Sequence, residues 1–105
     1  GSGVIRGTVS YRERIALPAG AEARVWLVDA ADPNGAAIAE TTVTLNRQVP
    51  ASFELNYEPR DVSRQRDYVL RAELRSGGEV RFETPEGGVP VNLRSAGPIT
   101  GVELV

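Results

Sequence analysis

The sequence predicts an all-β fold, a single small β-sandwich of seven to eight mostly antiparallel strands. Two observations predict it. Apolar residues recur with a period of two in one segment after another, which marks half-buried strands. Between those segments lie turn clusters: Pro18-Ala19-Gly20, Asp32-Pro33-Asn34-Gly35, Ser76-Gly77-Gly78, Glu86-Gly87-Gly88 and Ala96-Gly97-Pro98. Short strands punctuated this way point to an immunoglobulin- or transthyretin-like sandwich.

The elements follow in order. Ile5, Gly7, Val9 and Tyr11 alternate with Arg6, Thr8, Ser10 and Arg12, predicting a first strand. Ala23, Val25 and Leu27 alternate with Arg24, Trp26 and Val28 in a second. Residues 37–45, with β-branched Thr42 and Val43, form a third. Val49, Ala51, Phe53, Leu55 and Tyr57 alternate with Pro50, Ser52, Glu54 and Asn56 in a fourth. Only Pro59 to Gln65 suggests a helical turn, with Pro at its start. Tyr68, Leu70, Ala72 and Leu74 mark a fifth strand, and Val80, Phe82 and Thr84 a sixth. Residues 89–93 suit a short edge strand, because Pro90 has no N–H for a central ladder. Ile99 to Val105 reads as the last.

One hairpin carries a register expectation. A three-residue loop at Ser76-Gly77-Gly78 places Arg75 opposite Glu79, Glu73 opposite Arg81 and Arg71 opposite Glu83. On the inner face it sets Leu74 against Val80 and Ala72 against Phe82. A two-residue loop would instead put Leu74 opposite Arg81, a charge on the apolar face, since a one-residue slip exchanges the faces.

The chain has 105 residues, which fits one domain over 4–105. Gly1-Ser2-Gly3 reads as the remnant of an expression tag. Cys, His, Met and Lys are absent, and all twelve basic residues are Arg, against fourteen acids. Without thiolates or imidazoles there is no zinc-finger or iron–sulfur chemistry and no Ser–His–Asp or Cys–His nucleophile. Without lysine there is no Schiff base. The net charge of −2 argues against nucleic-acid binding. No cofactor and no metal are expected, and the domain reads as non-enzymatic. No stretch of the chain reaches the length of a membrane span.

Five features merit weighing. Asp29, Asp32 and Asn34 before Gly35 have oxygen ligands suited to Ca²⁺, but those residues are also ordinary turn formers, and the turn reading is preferred. Glu54, Glu73 and Glu83 fall among apolar residues on outward positions, so they belong to solvated faces rather than to a catalytic pair. Arg60, Arg64 and Arg66 cluster in one loop, and guanidinium forks suit a phosphate or carboxylate partner. The interleaved Glu58, Asp61 and Asp67 favour a charged surface loop with local ion pairs. Tyr68 follows that loop at the start of a strand, as a tyrosine corner does, where the hydroxyl ties loop to strand. Trp26, the sole Trp, points away from the Val25/Leu27 face. With Arg24 and Val28 it forms a candidate partner-binding face, because Trp and Arg dominate binding hot spots. The competing readings cover Trp26 with a loop, or bury both faces of this strand in a two-layer fold.

The opening Gly7-Thr8-Val9-Ser10-Tyr11-Arg12-Glu13-Arg14-Ile15-Ala16-Leu17-Pro18-Ala19-Gly20-Ala21 resembles the YbaY/YscW-type lipoprotein domains of Gram-negative bacteria. The likeness continues through Val25-x-Leu27-x-Asp29, Ile38-Ala39-Glu40, Gln48-Val49-Pro50, Phe53-Glu54-Leu55-x-Tyr57, Tyr68-x-Leu70-Arg71-Ala72 and Phe82-x-Thr84. It implies a signal peptide and a lipidated Cys upstream, then a β-sandwich in the periplasm tethered to the outer membrane. Membrane contact would run only through that lipid. Members of the secretion type are pilotins, chaperones that bind the C-terminal segment of a secretin. The resemblance therefore implies a protein partner, a secretin or another envelope protein, and supplies no catalytic or ligand residues. The physical routes are strand addition at an edge near 89–93 or 99–105, or the face around Arg24, Trp26 and Val28. The alternative is an extracytoplasmic carbohydrate-binding module, favoured if co-planar aromatics are exposed.

Overall fold

The structure is a computed structural model that describes residues 3–11, 20–45, 50–94 and 100–104. Among these residues eight strands form two sheets: β1 (Gly3–Tyr11), β2 (Ala21–Asp29), β3 (Ala39–Leu45), β4 (Ala51–Tyr57), β5 (Tyr68–Ser76), β6 (Glu79–Glu83), β7 (Val89–Val91) and β8 (Thr100–Leu104). The fold is all-β, and among the described residues the one helical element is a single 3₁₀ turn at Pro59–Asp61, inside the 59–65 segment where a helical turn is expected. Several expected features lie outside the described residues: the start of the tag remnant at Gly1 and Ser2, the Arg12–Ala19 stretch with Pro18, Val49, the Ala96-Gly97-Pro98 turn, Ile99 and Val105.

The three-stranded sheet runs β4-β1-β8, and the larger sheet runs β3-β2-β5, with β6 and β7 sharing the far edge of β5. All ladders are antiparallel except β1 with β8, which is parallel, Val9 facing Val102. The alternation seen in the sequence is the in–out pattern of the two inner faces. Ile5, Val9, Phe53 and Leu55 from one sheet meet Val25, Leu27, Leu70 and Leu74 from the other in one continuous core. Leu27, Leu55, Leu70 and Leu74 are wholly buried. Each contributes about 1.5–3 kcal/mol relative to an exposed side chain. Phe82 stacks on Tyr11 with ring centroids 4.6 Å apart, which joins β6 to β1 across the core.

The β5–β6 register corrects the expected one. Ser76 faces Glu79 across a two-residue turn, so Arg75 faces Val80 rather than Glu79. Gly77 and Gly78 both take positive φ, 61° and 78°. That is the mirror-image turn whose twist matches the strands it joins, and it outcompetes a three-residue loop. The exchange of faces that a two-residue loop would impose is undone by a register shift between Leu74 and Arg75. Arg81 becomes the extra residue of a bulge, and Leu74 meets Phe82 on the inner face. The expected Glu73–Arg81 and Arg71–Glu83 pairs are replaced as well. Glu73 lies opposite Glu83 on one side and opposite Arg24 of β2 on the other. Arg75 donates to Glu73 on its own strand at 3.0 Å, and Arg81 pairs with Glu79 at 3.2 Å.

β7 is the short edge strand expected around Pro90, pairing Tyr68, Val69 and Leu70 of β5 with Val91, Pro90 and Val89. The turn before it brings Gly88, at φ 77°, against the Leu70 carbonyl, where a Cβ would sit 2.7 Å from that oxygen.

Candidate functional site

The tyrosine corner forms as the sequence suggests. Tyr68 begins β5 pointing inward, and its hydroxyl accepts the Ser63 backbone N–H at 2.6 Å. This bond pins the 62–67 loop against the end of the sandwich where β4 leaves and β5 enters. Two more ties hold the same loop. The Arg94 guanidinium donates from Nε and Nη2 to the Arg64 carbonyl at 2.9 and 2.7 Å. Arg66 Nη1 donates to Asp29 Oδ2 at 2.7 Å, linking the loop to the end of β2. The arginine loop therefore carries ion pairs, but the shortest among the described residues is with a carboxylate 37 residues away rather than with an interleaved neighbour.

Asp29 also accepts the Ala31 N–H on Oδ1 at 2.9 Å. That backbone bond first, and the Arg66 side chain second, hold its carboxyl below the usual carboxylate range. The Asp29 hydrogen bond in turn raises Arg66. The Asp29–Gly35 segment is a succession of turns, with Asp32 N–H donating to the Asp29 carbonyl and Gly35 N–H to the Asp32 carbonyl, each at 2.9 Å. No cluster of carboxylates suited to a metal ion occurs among the described residues.

Together these ties frame a cleft of about 310 Å³. Its apolar surface comes from Tyr57 at the end of β4, Val62 in the loop, and Val91 and Leu93 in and after β7. Arg64, Arg66 and Arg94 stand on its rim with Asp67. The apolar members are half-buried and pack against the core on one side. They are displayed because the strands end there and, among the described residues, no further element covers them. Sequence alternation did not single out this cleft. Val62 and Leu93 lie beyond the regular strands, flanked by polar residues, and that misplacement of single apolar residues in charged loops was the available signal.

The Arg24/Trp26/Val28 face is a separate place, on the outer side of the larger sheet. Trp26 is half-buried. The Arg24 guanidinium lies 4.3 Å from the ring centroid, and Arg71, its cross-strand neighbour on β5, lies 5.8 Å away. Both contacts are cation–π in kind. Arg24 is held by Glu40 of β3 through Nε at 3.1 Å and through Nη2. Arg71 donates to the Pro33 carbonyl at 3.0 Å and to Asn34 Oδ1 at 2.8 Å, which draws the 32–35 turn toward the same face. Val28 shares this side of β2 but is wholly buried, opposite the buried Val69. The sheet exterior thus has a polar part with Arg24 and Trp26 and a covered apolar part with Val28. A saccharide stacking on Trp26 would meet a ring already covered by Arg24.

The chain matches the model of the type III secretion system lipoprotein chaperone family, YscW, over residues 2–102. It is also similar to the solved structure of an alternative pilotin from the type II secretion system of Vibrio cholerae. That likeness has 32% identity and a TM-score of 0.85, and covers 99% of this chain and 96% of the other. No curated protein matches.

Proposed function

This chain belongs to the YscW family of type III secretion system lipoprotein chaperones, and on that premise we propose that it is a non-catalytic, pilotin-like module. It works in the periplasm, held at the outer membrane by a lipid on an upstream Cys, and binds a segment of an envelope protein such as a secretin. The end cleft is the docking place. The observation that carries this is the display of Tyr57, Val62, Val91 and Leu93 in one concavity of about 310 Å³ on a rigid frame. Such a cleft can bury two or three apolar side chains of a partner at little ordering cost to the chaperone, and that favours affinity. The 32% identical pilotin supports a partner of the secretin kind. The Trp26 face offers less, because Arg24 already stacks on the ring and Val28 is covered.

Capture of solubilised envelope proteins by the purified domain, read by mass spectrometry, tests the reading. Wild type and Trp26→Ala are expected to capture the same protein, and Leu93→Ser to lose it while keeping a cooperative thermal melt. Loss with Trp26→Ala and retention with Leu93→Ser would move the docking surface to the sheet exterior.

A further inference from the structure

The cleft has a neighbour of opposite charge. Tyr57 lines a second depression of about 230 Å³, together with Ile38, Ala39, Asn56 and the acids Glu40, Glu58 and Asp61. Tyr57 lines both, and the two depressions adjoin at this residue. On one side stand Arg64, Arg66 and Arg94, and on the other three carboxylates.

Their availability differs, and that sharpens the pattern. Arg66 is engaged by Asp29, and Arg94 by the Arg64 and Arg66 carbonyls and Asp67. Glu40 is engaged by Arg24. Among the described residues, Arg64, Glu58 and Asp61 have no ion pair, although Asp61 and Arg64 lie only three positions apart in the chain. All three are exposed. Arg60 is also unpaired but lines neither depression. Among the described residues a free cation therefore lies in one depression and two free anions in the other, with Tyr57 shared between them.

We infer that the cleft selects a bipolar segment: acidic residues toward Arg64, aliphatic or aromatic residues over Val62, Leu93 and Tyr57, and a basic residue toward Glu58 and Asp61. The inference rests on the reading that the cleft is the docking place, and adds the chemistry and direction of what docks. Complementary charge at both ends fixes which way the segment lies, because the reversed segment sets like charges against each other.

Short synthetic peptides make the probe, each with the same Leu-Phe-Leu centre. Their flanks are Asp-Glu and Lys-Arg in either order, Asp-Glu twice, Lys-Arg twice, or Ser only. Titration into ¹⁵N-labelled protein gives both affinity and place, through amide shifts at Tyr57, Val62 and Leu93. One order of the mixed-charge peptide is expected to bind roughly three- to tenfold tighter than the Ser-flanked one, the size two exposed ion pairs supply. That advantage disappears at about 0.5 M salt. The triple variant Arg64→Glu/Glu58→Arg/Asp61→Arg, all exposed and outside the core, should reverse the preferred order. Equal affinities for all peptides, with shifts still at the cleft, would overturn the bipolar inference and leave the docking reading standing. Shifts at the cleft with none of the peptides would overturn both.

Discussion

The Tyr68 hydroxyl accepts the Ser63 backbone N–H at 2.6 Å, and this one bond joins the inner face of β5 to the loop that forms one side of the cleft. The residue thus serves the core through its ring and the cleft through its oxygen. Tyr68→Phe keeps the ring and leaves a partly buried N–H without its acceptor. Urea unfolding should show a loss of about 1 kcal/mol. Amide exchange should quicken at residues 63–66, while the core strands of β2 and β5 keep their protection.

Glycine positions in one turn should separate two costs. Gly87 and Gly88 both take positive φ, but a Cβ at Gly87 meets open space and one at Gly88 meets the Leu70 carbonyl and Val69. Gly87→Ala is expected to cost about 1 kcal/mol, the price of the left-handed conformation. Gly88→Ala should cost clearly more, because the backbone of β5 must also give way. Thermal melts of the two variants side by side provide the comparison.

The β5–β6 turn makes a prediction of the opposite sign. With φ at 61° and 78°, Gly77-Gly78 is a two-residue hairpin turn that Asn-Gly also suits. Gly77→Asn should be neutral or stabilise by up to about 1 kcal/mol, through the narrower unfolded ensemble. Gly77→Val should destabilise, since a β-branched residue resists that φ. Chemical denaturation curves of the pair would check both.

The Asp29–Arg66 tie should respond to acid. Asp29 has its folded pKa depressed, so the stability it lends is present above the ordinary aspartate value of about 3.9 and is lost as pH falls through the lower folded value. Arg66 stays charged throughout this range. An NMR titration should show the Asp29 carboxyl titrating below the ordinary aspartate range. The Arg66→Ala variant should bring it back up part of the way only, because the Ala31 N–H remains.

Much of the fold was legible because it rests on local alternation. Ile5, Val9, Val25, Leu27, Leu55, Leu70 and Leu74 read as inward from the period of two, and all are buried. Pro90 read as an edge residue from its missing N–H, and β7 is one. Tyr68 read as a corner from its place after a charged loop. The hairpin register was not legible, since a bulge at Arg81 reconciles the turn with the faces and leaves no mark in the alternation of Val80, Arg81 and Phe82. The site was the least legible part. Arg24 and Trp26 stood out by residue type, yet Arg24 is committed to Glu40 and the indole, and Val28 is buried under the same exterior.

What the residues alone determined is the chemistry excluded by absent Cys, His and Lys, the all-β class, and which side of each strand faces the core. These follow from side-chain inventory and from a two-residue period, both properties of short stretches. Only the tertiary structure decided that β1 lies parallel to β8, that Arg66 reaches Asp29, and that Tyr57, Val62 and Leu93 share one cleft whose Arg64, like Glu58 and Asp61 in the adjoining depression, has no ion pair among the described residues. Those relations join residues far apart in the chain, and they are settled by how two sheets close over one core rather than by any local preference.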